Sequence, residues 1–137
     1  MARTSVISHV SVGVGDVALA RTFYDAILKP LGLKRVMAAD FGCAWGTGFP
    51  TFWAQKPSDG QAATAGNGVH VCFTAPSKRA VDAFHRAALK HGGRDDGAPG
   101  LRRDYTPNYY AAFVRDPDGN KIEAVCFLGK AELKRIK

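Results

Sequence analysis

Sliding the chain by 61 positions lays it on itself. His9-Val10 falls on His70-Val71, Phe23 on Phe84, Ala26 on Ala87, Leu28-Lys29 on Leu89-Lys90 and Gly32 on Gly93. Apolar character is kept at further positions, for example Val12 on Phe73 and Ala20 on Val81. A repeat of this kind means one supersecondary unit used twice, each copy needing a neighbour to bury its apolar face. Whatever the chain folds into must be built from two equivalent halves.

Each half reads in the same order. An alternating strand opens it, Ile7–Val12 in the first half and Gly68–Phe73 in the second. A helix follows. Asp16 and Ser77 stand at matching positions, and both suit an N-cap because their side-chain oxygens accept from orphan amides. The helical stripes are Val17, Ala20, Phe23, Tyr24, Ile27 and Leu28, then Ala80, Val81, Phe84, Ala87, Ala88 and Leu89. Gly32 and Gly92-Gly93 mark the stops.

Strand material completes both halves. In the first it is Leu33–Met37, Gly42–Gly46 and Thr51–Gln55, with a turn at Thr47-Gly48-Phe49-Pro50. In the second it is a weak strand near Gly93–Asp96, then Tyr109–Arg115 and Lys121–Phe127 around the turn Asp116-Pro117-Asp118-Gly119-Asn120. Gly97–Asn108 reads as a longer loop. The expectation is an α+β fold of two tandem βαβββ modules, with helices on one side of curved sheets. Module one spans about 5–56, a Gly-, Ala-, Ser- and Thr-rich linker about 57–67, module two about 68–128 and a basic tail 129–137.

Composition narrows the function classes. At 137 residues and 46% hydrophobic, the chain suits one compact domain with a core. It has no apolar run long enough to span a membrane and no signal-peptide pattern at Met1–Ser5. Cys43, Cys72 and Cys126 are odd in number, widely spaced and without a CxxC, which reads as free thiols in the cytoplasm rather than a disulfide framework. The net charge of +7 is partly the tail, with Lys130, Lys134, Arg135 and Lys137. No basic run is interleaved with aromatics, so the reading is no nucleic-acid partner; the charge suits solubility or an anionic small substrate.

Face parity then singles out three residues. Strand side chains alternate. Val10, Val12 and Val14 share one face of the first strand, and His9, Ser11 and Gly13 the other. His70 and Cys72 lie opposite Val71 and Phe73, and Glu123 lies opposite Ile122 and Ala124. With the apolar faces on the helices, His9, His70 and Glu123 all fall on helix-free faces. A lone strand histidine is ordinarily a surface or hydrogen-bonded residue. Two at repeat-equivalent positions, with a carboxylate, suit one divalent ion among Zn, Ni, Mn, Co and Fe(II). His85 and His91 have no such arrangement and read as surface or helix-end residues.

Two strings carry a resemblance. His9-Val10-Ser11-Val12-Gly13-Val14, Asp16, Thr22-Phe23-Tyr24, Leu28 and Leu31-Gly32 are similar to the opening of glyoxalase/bleomycin-resistance/dioxygenase proteins of the vicinal oxygen chelate superfamily. Tyr110-Ala111-Ala112-Phe113-Val114, Asp116-Pro117-Asp118-Gly119-Asn120 and Ile122-Glu123 resemble their end. The family places metal ligands on the first and fourth strands of each half. That implies His9 and His70 as first-strand ligands and Glu123 as a fourth-strand ligand and catalytic group.

The remaining ligand position falls on Trp53, which cannot ligate, although Gln55 shares its face. This departs from the four-ligand pattern of lactoylglutathione lyases. The resemblance implies a metal-dependent lyase or isomerase, similar to lactoylglutathione lyases, acting on a small substrate chelated through adjacent oxygens. The alternatives are a non-catalytic binding or resistance protein, or an extradiol-type dioxygenase. Substrate-binding candidates are Trp45, Trp53, Arg102, Arg103, Tyr105, Tyr109 and Tyr110. In this superfamily the modules pair within a chain or between chains, so a homodimer is among the expectations.

Overall fold

The computed structural model describes residues 5–136. Two four-stranded mixed sheets carry the repeat. Sheet one holds β1 (Val10–Gly13), β2 (Lys34–Ala39), β3 (Gly42–Gly46) and β4 (Pro50–Gln55) in the order β1-β4-β3-β2. Sheet two holds β5 (His70–Thr74), β6 (Arg94–Leu101), β7 (Tyr109–Arg115) and β8 (Lys121–Phe127) in the equivalent order β5-β8-β7-β6. In each, the first strand lies parallel to the last and the other pairs are antiparallel. The expected α+β architecture of two βαβββ modules is what forms.

The helices are α1 (Val17–Leu28) and α2 (Lys78–Lys90). Their caps are the residues the sequence suggests: Leu19 N–H donates to Asp16 Oδ1 and Ala80 N–H to Ser77 Oγ, at 3.0 and 3.1 Å. A 3-10 turn at Lys29–Leu31 ends in Gly32, whose φ of +83° is costly for any residue with a Cβ.

Helices α1 and α2 pack on each other, and one core serves both modules. Val14, Phe23, Tyr24, Trp45 and Phe52 from the first half share it with Val81, Phe84, Val114, Ile122 and Ala124 from the second. Phe52 and Phe73 meet edge-on across the junction, with centroids 5.0–5.1 Å apart for this pair and for Phe23–Tyr24. The turn between β7 and β8 latches the halves together. Buried Asp116 accepts from Tyr24 Oη at 2.6 Å, from the backbone N–H groups of Asp118 and Asn120, and from Asn120 Nδ2. Asn120 Nδ2 also reaches Gly13 O, and Gly15 N–H donates to Asp118 Oδ1. The Asp-Pro-Asp-Gly-Asn string is thus more than a turn signal.

Three details differ from the sequence expectation. β1 begins at Val10 rather than Ile7, because Pro50 opens β4 without an N–H and the ladder starts at the Val10–Phe52 pair. β6 runs on to Leu101 through Gly97, Pro99 and Gly100, where a loop was expected. It is an edge strand, and register shifts at Asp95/Gly97 and Gly97/Gly100 absorb those residues. The tail forms a short helix, α3 (Lys130–Ile136), whose Ile136 packs against the shared core.

Candidate functional site

With the helices sharing one core, each sheet keeps a helix-free face. On sheet two, β5 lies beside β8 with Cys72 opposite Glu123 and His70 opposite Lys121. His70 Nε2 sits 2.9 Å from Glu123 Oε1. The Tyr109 hydroxyl donates to the other carboxylate oxygen. The Glu123 side chain is only 3% exposed, whereas that of His70 is 43% exposed. A carboxylate kept this deep is costly unless every lone pair is answered, and here a phenol and an imidazole answer it.

The surroundings tune the neighbours. Burial, then the hydrogen bond to Glu123, holds the Tyr109 phenol well above its ordinary value, so it stays a donor. Burial and the Glu123 charge push the Cys72 thiol up to about 12, so it stays protonated rather than becoming a nucleophile. Ala111, Phe113 and Val125 form a small apolar floor under this group, with Tyr109 at its side.

On sheet one, His9, Ser11, Trp53 and Gln55 share the corresponding face and line an opening of about 310 Å³ with Phe41, Phe49 and Pro50. Phe41 and Trp53 stack, with planes 16° apart and centroids at 6.2 Å. Ser11 lies opposite Trp53 in the β1–β4 ladder, as Cys72 lies opposite Glu123 in β5–β8. Trp53 is therefore the structural counterpart of Glu123.

His70 and Glu123 converge as two donors of one site would. His9 stands just before β1, at the face of the other sheet. Among the described residues, no three of His, Cys, Asp and Glu come close enough to hold a metal. One chain thus offers two donors on one face and one on another, which fits a divalent ion only if a His9-bearing face is brought against the His70 face.

A sequence model of the Glyoxalase/Bleomycin resistance protein/Dioxygenase superfamily matches residues 6–124. The chain belongs to this superfamily. A glyoxalase/bleomycin resistance protein from Albidiferax ferrireducens T118 is 41% identical, with 89% of this chain and 98% of that one covered at a TM-score of 0.80. A glyoxalase/bleomycin resistance protein/dioxygenase family enzyme from Burkholderia phytofirmans PsJN shares the fold at 19% identity, covering 90% and 100% of the two chains at a TM-score of 0.70. A lactoylglutathione lyase from Agrobacterium tumefaciens does so at 21% identity, 89% and 93% coverage and a TM-score of 0.62. Comparison with curated proteins finds no match.

Within this glyoxalase-superfamily frame the remaining candidates separate. Trp45 is fully buried on the helix side, and its Nε1 donates to Asp25 at 2.9 Å. Tyr110 faces the same way and donates to Asp82 at 2.6 Å. Both are placed in the core, away from the helix-free faces, because β3 is buried on both sides and Tyr109 and Tyr110 must point oppositely. Tyr105 is exposed and meets Tyr109 edge-on at 5.0 Å, while Arg103 lies exposed in the adjoining turn. Arg102 folds back over Phe113. His85 pairs with Asp95 at 2.8 Å, and His91 Nδ1 lies 2.9 Å from Ala87 O at the end of α2. Lys121 escaped the sequence reading. Its signal was there: it lies two residues before Glu123, hence on the same face.

Proposed function

We propose that this chain is a metal-dependent lyase or isomerase for a small substrate bound through two adjacent oxygens, with each site shared between two copies. His70 and Glu123 of one copy and His9 of the second are the donors. The observation that carries this reading is the buried Glu123 carboxylate meeting His70 at 2.9 Å on an otherwise open sheet face. A two-fold pairing of helix-free faces brings the sheet-one face of each copy against the sheet-two face of the other and makes two identical sites. Two imidazoles and one carboxylate leave coordination positions for substrate.

A divalent ion held there supplies a Lewis acid to the two substrate oxygens. The protein supplies the rest. Glu123 is the carboxylate in reach of a substrate proton; Tyr109 fixes one of its oxygens, and the ion would take the place of the proton between His70 Nε2 and the other. Trp53 stands where a second carboxylate would be, so a lactoylglutathione lyase that relies on such a pair is disfavoured against other isomerisations and lyases. The apolar floor of Ala111, Phe113 and Val125 limits water at the reacting end. The proposed compartment is the cytoplasm, consistent with three cysteines that are free in the fold.

A second reading has its own support. The Phe41–Trp53 stack and the opening beside it suit sequestration of a flat ligand without chemistry. Metal analysis of tag-free protein separates the two. About one divalent ion per chain, lost in both His70→Ala and Glu123→Gln, supports the enzyme. No uptake after exposure to Zn, Ni, Mn and Fe(II) leaves sequestration.

A further inference from the structure

The Phe113 ring is flanked by two cations, and by the His70 ring, in a way that neither the repeat nor the donor set requires. The Arg102 guanidinium carbon lies 5.4 Å from its centroid, the Lys121 ammonium 5.2 Å and the His70 ring 6.4 Å. All four residues belong to the helix-free side of sheet two, with Lys121 paired to His70 and Phe113 to Glu123. Cation–ring attraction of this kind holds long side chains in place while leaving their charge available.

Arg102 is fitted into the fold. Its Nη1 donates to Gly100 O at 2.9 Å and its Nη2 to Ala98 O at 2.8 Å. A Cβ on Gly97 would come within 3.0–3.1 Å of Phe113 and Arg102 Nη2, and one on Gly100 within 3.3 Å of Nη1. The two glycines and the bulges they sit in make room for the guanidinium, which accounts for a strand of such poor β propensity.

The nearby carboxylates are already engaged. Glu123 is held by His70 and Tyr109, Asp95 by His85, and Asp96 by Arg115 at 3.0 Å, with Lys121 more distant at 3.8 Å. Lys121 thus shares Asp96 with Arg115, Arg102 makes no ion pair among the described residues, and both cations lie beside the Glu123–His70 pair.

We infer that Arg102 and Lys121 seat an anionic oxygen group, carboxylate or phosphonate-like, carried by the substrate next to its two chelating oxygens. The inference takes the site from the function proposed above but does not depend on the metal. It makes the substrate class a small oxyacid and sets aside neutral diols and dicarbonyls. Arg102 offers a fixed planar donor and Lys121 a mobile point charge, a pairing suited to an anion that must be both oriented and released. Removal of either charge acts on ligands that carry the anion and leaves neutral ones untouched.

The test compares catechol, 3,4-dihydroxybenzoate and the corresponding 4-phosphonate, which share adjacent oxygens and differ in one group. Affinities are measured calorimetrically on the full-length protein, with and without Zn(II), for the parent chain, Lys121→Met and Arg102→Gln. The expected result is that the anionic compounds bind about tenfold more tightly than catechol. The preference falls several-fold in each variant while zinc content holds; the melting temperature holds in Lys121→Met and drops only in Arg102→Gln, which loses the bonds to Ala98 and Gly100. The tighter of the two anions then identifies the group. Equal affinities in the parent, or a preference that survives both substitutions, overturns the anion seat and leaves the metal reading standing. Loss of zinc binding by the parent chain with the preference intact overturns the metal reading instead.

Discussion

The two helix-free faces descend from one repeat and have been filled differently. His9 and His70 are equivalent, as are Ser11 and Cys72, yet Trp53 occupies on sheet one the place Glu123 takes on sheet two. Face one is an aromatic shelf in which Trp53 is half-buried and stacked on Phe41. Face two is a polar cluster whose carboxylate is sealed in and answered on both oxygens. The helix sides diverge less: Phe23 matches Phe84 and Val12 matches Phe73, all in or against the common core, although buried Tyr24 matches His85. A duplicated unit must keep the face that packs. The face that does not is free to specialise, and here one copy keeps the acid and the other exchanges it for a ring.

The turns differ as well, and the largest expected effect lies there. The Thr47–Pro50 turn of module one makes no counterpart of the Asp116 network. Asp116→Ala strands the Tyr24 hydroxyl and two backbone amides and removes one of the two acceptors of Asn120 Nδ2, and is expected to cost about 3–5 kcal/mol in urea unfolding. A loss near that of an ordinary surface substitution would show that the latch is not what joins the modules.

Next come the two histidines. His70→Ala removes a donor that already faces Glu123 and is expected to weaken metal affinity at least about 100-fold, judged by competition with a chelating dye. His9→Ala should match it within a few-fold if the faces act as one site. Indifference to His9 would make face one a ligand shelf and nothing more. Trp53→Glu restores the symmetry outright. It is expected to tighten metal binding by about tenfold and to weaken flat aromatic ligands by a similar factor, both read by calorimetry.

Two smaller effects bear on the shared core. Burial, then the Asp116 charge, holds the Tyr24 phenol well above its ordinary value of 10.0. The unfolded chain therefore gives up that proton before the folded one does. Stability from this residue is intact below about pH 10 and declines as the pH rises further, by about 1.4 kcal/mol per pH unit. Tyr24→Phe should flatten that decline in pH-stepped urea melts. Asp16→Ala and Ser77→Ala each lose one cap and should cost about 1 kcal/mol alike, since the equivalent helices are capped alike.

Local chemistry made much of this legible in the sequence. Both helices, their caps and the Gly32 stop could be read because periodicity and N-cap oxygens act within a few residues. So could the faces of His70 and Glu123, because alternation is a property of any strand; His9, expected on the first strand, lies just before it. β6 could not be read this way. Gly97, Pro99 and Gly100 argue against a strand, and pairing with β7 overrides them. Trp45 was ambiguous because β3 is buried on both faces, so parity does not distinguish core from pocket. Least legible was the relation between the two sheets. Nothing local in His9 or His70 says whether the helix-free faces of the two sheets meet within one chain, since that depends on how α1 and α2 pack.

The central claim is that His9 of one copy completes the His70–Glu123 site of another. Co-expression of His9→Ala with Glu123→Gln, followed by isolation of the mixed dimer and metal analysis, tests it most directly. Each variant alone is expected to hold almost no metal. In the mixed dimer one site regains all three donors, so about one ion per dimer is expected. A mixed dimer as empty as its parents would contradict it, because donors drawn from a single chain cannot be restored by mixing.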